Sequence, residues 1–124
     1  MILGIGCDII EHRSVQKELA RSSWANNDGI FTAPEIARCS SRTSVVRFAA
    51  CFAAKEATLK ALGLDVGDLE MFREVELGAD RDGEHPLLLH GRAKERSEQL
   101  GVRRVSMTIA TSSKLTSAMV VLES

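Results

Sequence analysis

Along the chain the apolar residues change period several times, and each change marks an element. Residues 2–8, "ILGIGCD", form a short apolar run interrupted by Gly4 and Gly6 and ending at Asp8, which predicts a buried strand. Glycine weakens a strand unless another backbone comes close, so the pair predicts a bulge or a close approach. A polar helix is expected around 12–22. "FTAPEIARC" (31–39) predicts a short helix with Thr32 as N-cap and Pro34 and Glu35 in its first turn. The run 44–62 is the most strongly helical stretch: Ser44 is a candidate cap, Ala and Leu dominate, and Gly63 stands where a helix stop belongs. At ~1.5 Å per residue it would be ~28 Å long, the spine of a domain. Strands are expected over 71–78 and 86–90, joined through "DRDGE", followed by a helix over 91–100 that ends at Gly101. "RRVSMTIA" and "TSAMVVLE" predict a closing antiparallel pair around "TSSK". Interleaved strands and helices predict a single α+β domain over 1–124, without repeats, linkers or low-complexity segments.

Composition narrows the function. The 124 residues carry 16 Lys plus Arg against 17 Asp plus Glu, a net charge of −1. That excludes a generic nucleic-acid binder, which needs a basic surface. An anionic ligand must therefore meet a local basic cluster. Cys7, Cys39 and Cys51 lack zinc-ligand spacing, and a reduced, cytoplasmic chain is expected. No stretch approaches the ~20 apolar residues that span a bilayer, so no membrane partner is expected. "MILGIGCD" lacks the features of a signal peptide.

Candidate chemistry starts with Asp8 and Glu56. One acid closes a strand and the other interrupts a largely apolar helix, so both could converge on a hard divalent cation. Mg²⁺ takes one or two carboxylates and completes its octahedron with water and substrate phosphates. Taken alone, two distant acids are more often surface charges. Glu56 and Lys60 share a helix face at i, i+4, which also fits a simple stabilising pair; Lys55 points ~100° away. From the residues alone the reading ends at a candidate metal–phosphate site.

Four segments carry a resemblance: "GIGCDIIEH" (4–12), "FAAKEATLKALG" (52–63), "DGEHPLLLHGRAKERSEQLGV" (82–102) and "VSMTIATSSKLTSAMVVLE" (105–123). Collinear and spanning nearly the whole chain, they resemble the small holo-acyl-carrier-protein synthase type of 4'-phosphopantetheinyl transferase. The resemblance implies an antiparallel sheet packed on a long central helix. It also implies transfer of phosphopantetheine from coenzyme A to a serine of an apo acyl carrier protein, Mg²⁺ dependence, and a homotrimer with sites between protomers. Asp8 and Glu56 match the metal acids, and Asp8, Glu56 and Lys60 form the implied catalytic set. Lys60, Lys55 and Gly63 match coenzyme A contacts. The base for the serine proton stays open between Glu56 and a water on the metal.

Three positions depart from the family pattern. Cys51 stands where an Arg usually precedes "FAAKEA", and Ala110 and Thr111 stand where Ser and His belong. A thiol cannot reproduce a guanidinium's grip on phosphate. Arg47, one turn earlier, and Arg42 are candidate replacements, Thr111 can supply one hydrogen bond, and Arg13 is a candidate carrier-docking residue. Two readings follow: a working transferase with a rearranged coenzyme A site, or a repurposed member that binds carrier protein or acts on a carrier-bound acyl or polyketide chain. For the remaining singular residues the plain expectations are packing for Cys51 and Trp24, and surface or turn positions for His12, His85 and His90.

Overall fold

Everything is arranged around one helix, α3 (Ser44–Leu62), which is buried along most of its length. The computed structural model describes residues 1–21, 29–40, 43–82 and 86–124. Trp24, Arg42 and His85 lie outside the described residues. Strand β1 (Ile2–Glu11) leads directly into α1 (His12–Ala20), and α2 (Ala33–Cys39) precedes α3. A 3-10 segment (Leu69–Glu74), β2 (Val75–Leu77), β3 (Leu87–Leu89), α4 (Gly91–Leu100), β4 (Arg104–Thr111) and β5 (Leu115–Glu123) complete the chain. The main sheet has the order β1-β5-β4, antiparallel throughout, while β2 and β3 form a separate antiparallel pair. The α+β expectation, with an antiparallel sheet on a long central helix, describes this architecture.

The glycines of β1 explain how sheet and helix meet. A Cβ at Gly4 would lie 2.1 Å from the Ala61 carbonyl oxygen, and one at Gly6 only 1.8 Å from that of Ala57. Only hydrogen fits there, so strand backbone rests directly on helix backbone. The match is metrical: two strand residues advance ~6.7 Å and four helix residues ~6 Å, so Gly4–Ala61 and Gly6–Ala57 succeed one another in step. Inward residues Val120 and Leu122 of β5 complete this layer of the core.

Local capping chemistry places the other elements. Thr32 and Glu35 form a reciprocal capping box at the start of α2, and α3 ends at Gly63 in the left-handed region, φ 72°. Several boundaries differ from expectation; β1 runs past Asp8 to Glu11, so Asp8 lies within the strand and does not close it. Thr43, not Ser44, occupies the N-cap of α3, and it makes no side-chain cap bond. The expected strand over 71–78 shrinks to Val75–Leu77, because Asp68 accepts a hydrogen bond from the Glu70 amide and starts a 3-10 segment instead.

Candidate active site

Beyond Gly6, β1 continues in step with α3, and the next inward residue is Asp8, which reaches the helix face carrying Glu56 and Lys60. The Lys60 ammonium lies 3.2 Å from Asp8 Oδ1 and 3.3 Å from the Cys7 carbonyl oxygen. Asp8 Oδ2 is buried and has no hydrogen-bond partner. The group facing Asp8 is the Glu56 carboxyl, whose pKa is raised to about 7, first by burial, then by Asp8, against the opposing charge of Lys60. Two carboxylates cannot bond to one another unless a proton or a cation lies between them. The arrangement of an orphaned buried oxygen, a second carboxylate and one ammonium fits a hard cation held by two acids. Among the described residues no cluster of three or more metal-ligating side chains exists, so such a cation would draw its remaining ligands from water and substrate.

Lys55 departs from its expected role at the coenzyme A phosphates. Its ammonium is fully buried, 2.5 Å from Glu35 Oε1 and 2.6 Å from the Val75 carbonyl oxygen. The physical reason is its helix position: about 100° from Glu56, it points away from the sheet and under α2 and β2. Glu35, read from sequence only as a first-turn residue, organises that region. Its Oε1 also accepts from the Thr32 amide, and its Oε2 accepts from the Cys51 thiol at 3.0 Å and the Leu77 amide at 2.9 Å. No sequence signal distinguishes this buried hub from an ordinary capping glutamate.

Cys51 is packed, as expected. Its pKa is pushed well above the usual thiol value, first by hydrogen bonding with Cys39, then by burial and the Glu35 charge. A buried thiol held this way is a poor nucleophile at neutral pH. Arg47 and Cys51 do share a face, and together with Arg38, Cys39, Leu77 and Asp80 they line an open pocket of about 320 Å³. Arg47 itself bonds Thr43 Oγ1 at 3.0 Å and the Arg38 carbonyl at 3.2 Å. Nine positions before Glu56, at ~100° each, it lies on the opposite side of α3 from the carboxylates. Within one chain the structure therefore brings together Asp8, Glu56 and Lys60, ends the helix of the latter two at Gly63, and leaves Arg47 apart.

Thr111 is exposed at the end of β4, its hydroxyl 3.1 Å from that of Thr116. His12 contradicts the surface expectation: its ring is buried, with Nε2 2.7 Å from Thr116 Oγ1 and Nδ1 3.3 Å from the Ser113 carbonyl oxygen. Its position at the junction of β1 and α1 buries it against the β4–β5 turn. His90 is exposed, 3.6 Å from Glu76.

Known proteins share this chain's pattern from end to end. The model of the 4'-phosphopantetheinyl transferase superfamily matches residues 4–112. A holo-[acyl-carrier-protein] synthase of Geobacter sp. (strain M21) is 39% identical over 99% of this chain and 99% of its own. The crystal structure of holo-[acyl-carrier-protein] synthase from Neisseria meningitidis superposes with a TM-score of 0.85 at 30% identity, covering 100% of both chains. The Bacillus anthracis synthase, solved in complex with coenzyme A (3',5'-ADP), gives a TM-score of 0.78 at 31% identity over 100% of this chain and 98% of that one. With its motif acids brought together on this fold, the chain belongs to the 4'-phosphopantetheinyl transferase superfamily, as a member of the holo-[acyl-carrier-protein] synthase type.

Proposed function

We propose that this protein transfers 4'-phosphopantetheine from coenzyme A to a serine of an apo acyl carrier protein, using Mg²⁺ held by Asp8 and Glu56. The observation that carries the reading is the carboxylate pair, with the buried Asp8 oxygen that no donor satisfies and Lys60 3.2 Å from its twin. In the reaction the serine oxygen forms a bond to the pantetheine-side phosphorus, and the pyrophosphate P–O bond breaks to release 3',5'-ADP. Such transfers depend on positioning and charge neutralisation more than on covalent help from the protein. Held by Asp8 and Glu56, Mg²⁺ would neutralise charge on the pyrophosphate. Lys60, half exposed, places a second positive charge beside it. The serine proton passes to Glu56 or to a water on the metal.

The working assembly is a homotrimer in the cytoplasm. Arg47, as the replacement for the missing guanidinium, and Thr111 reach coenzyme A, and because Arg47 lies across α3 from the carboxylates, one ligand meets both only at a boundary between copies. The outer face of the main sheet supports this assembly, since it exposes Ile5 (60%), Ile9 (62%) and Met119 (46%) side by side. A sheet with one solvated face ordinarily carries polar residues there.

The test is intact-protein mass spectrometry of apo carrier proteins, including one of polyketide type, incubated with this protein, coenzyme A and Mg²⁺. One added phosphopantetheine, absent with EDTA, is the expected result. No gain across the panel from a folded protein overturns the transferase reading in favour of a repurposed carrier-binding member, the alternative raised by Cys51, Ala110 and Thr111.

A further inference from the structure

His12 takes no part in the metal site, yet the fold buries its ring and gives both nitrogens a partner. Nδ1 lies 3.3 Å from the Ser113 carbonyl oxygen and Nε2 2.7 Å from Thr116 Oγ1, while Thr116 is fully buried and its hydroxyl is 3.1 Å from that of Thr111. Thr111 and Thr116 are direct cross-strand partners, and Thr116 also pairs with Ile10, so the chain of groups occupies one row of the inward sheet face. Asp8 pairs with Ala118, one inward row further along. Strand spacing and rise put the Thr111 Cα ~12 Å from that of Asp8.

For the neutral ring, the direction of the hydrogen bonds follows from chemistry. A carbonyl oxygen only accepts, so Nδ1 carries the hydrogen, and in a neutral imidazole Nε2 must then accept. Thr116 donates to Nε2 and is left to accept from Thr111. The Thr111 hydrogen is thereby turned inward, and only its lone pairs face solvent. A threonine free to rotate would donate to a phosphate oxygen; this one is not free.

We propose that His12 is a positioning residue that sets the polarity of Thr111, making this edge of the site an acceptor for a ligand N–H or O–H group rather than a donor to phosphate. On the nucleotide end of coenzyme A the groups of that class are the exocyclic amine of the base and the ribose hydroxyl. The inference rests on the reading that coenzyme A binds here.

Steady-state kinetics of wild type, Thr111→Val, Thr116→Val and the double variant test it. They are measured with coenzyme A and with analogues lacking the amine, the ribose hydroxyl or the 3'-phosphate. Each single variant is expected to raise the KM for coenzyme A roughly three- to tenfold, the range of one neutral hydrogen bond, with kcat and the carrier-protein KM unchanged. The double variant is expected to be no worse than either single one. The penalty disappears with one of the two donor-lacking analogues and persists without the phosphate. Additive penalties, a penalty that follows the phosphate, or an equal fall in kcat overturn the inference. Nitrogen-15 spectra of the His12 ring supply a readout independent of turnover: the Nδ1–H tautomer in wild type, perturbed in Thr116→Val, is expected, and the Nε2–H tautomer contradicts the assignment. A wild type that does not bind coenzyme A overturns the parent reading itself; a wild type that binds it while Thr116→Val behaves identically overturns this inference alone.

Discussion

At the scale of single residues, the active site is a problem of unbalanced charge. Two carboxylates face each other with one lysine between them and the solvent, and Glu56 answers by holding its proton up to about pH 7. The unfolded chain gives up that proton nearer the ordinary carboxylate value. The fold is thus favoured by it at low pH, and the contribution is lost as pH climbs toward 7. Without divalent cation, the melting temperature is expected to fall between pH 5 and pH 8. Glu56→Gln flattens the fall, and millimolar Mg²⁺ reverses it for wild type only. Calorimetry across pH checks this, and a fall that survives Glu56→Gln assigns it to another group. Lys55 behaves differently, because burial has already matched it with Glu35. Removing one partner of such a pair strands the other charge, at a cost of about 3–5 kcal/mol. Chemical denaturation of Lys55→Met is expected to show a loss in that range, with the KM for coenzyme A in the surviving folded fraction little changed. A large KM effect with full stability returns Lys55 to the ligand. Helix periodicity turned Lys55 away from Lys60 but did not show that it would be buried. Both sit in one motif, and only the position of α2 and β2 around the helix decides which is entombed.

At the scale of elements, the decisive contact is β1 on α3. Its legibility was partial: Gly4 and Gly6 announced a close approach, while Ala57 and Ala61 as the opposing surface required the fold. Any side chain at Gly6 must push strand from helix, and Asp8 follows two residues later. Gly6→Ala is expected to cost about 1–3 kcal/mol and to lose Mg²⁺-dependent transfer beyond what the stability loss explains. Cys7→Ala, on the outward face of the same strand, serves as its control; equal effects of the two would show that the contact does not position Asp8. The helices were largely readable because caps and stops are local, as Thr32, Glu35 and Gly63 show. The segment 69–74 was not, since "MFREVEL" alternates well enough to be a strand and only the Asp68 side chain turns it into a 3-10 segment.

At the scale of the whole molecule, the outer sheet face is the unsolved surface of the single chain. Ile9 projects from it, so Ile9→Lys is expected to dissociate the proposed trimer into folded monomers by light scattering, with unchanged circular dichroism and with transfer activity lost. A wild type that is monomeric at micromolar concentration would remove the intersubunit site. No single-chain pattern reveals such an assembly directly. The apolar run 2–8 reads as a buried strand, and nothing in it separates burial in the core from burial against another copy.

The strand bearing Asp8 has its sheet partner, β5, at the far end of the chain, with Asp8 opposite Ala118 and the Ser124 amide bonded to the Met1 carbonyl oxygen. The strand that carries Asp8 therefore gains its sheet edge only when β5, about a hundred residues further along the chain, folds beside it. Folding is thus expected to be limited by a pairing of high sequence separation, the insertion of β5 between β1 and β4.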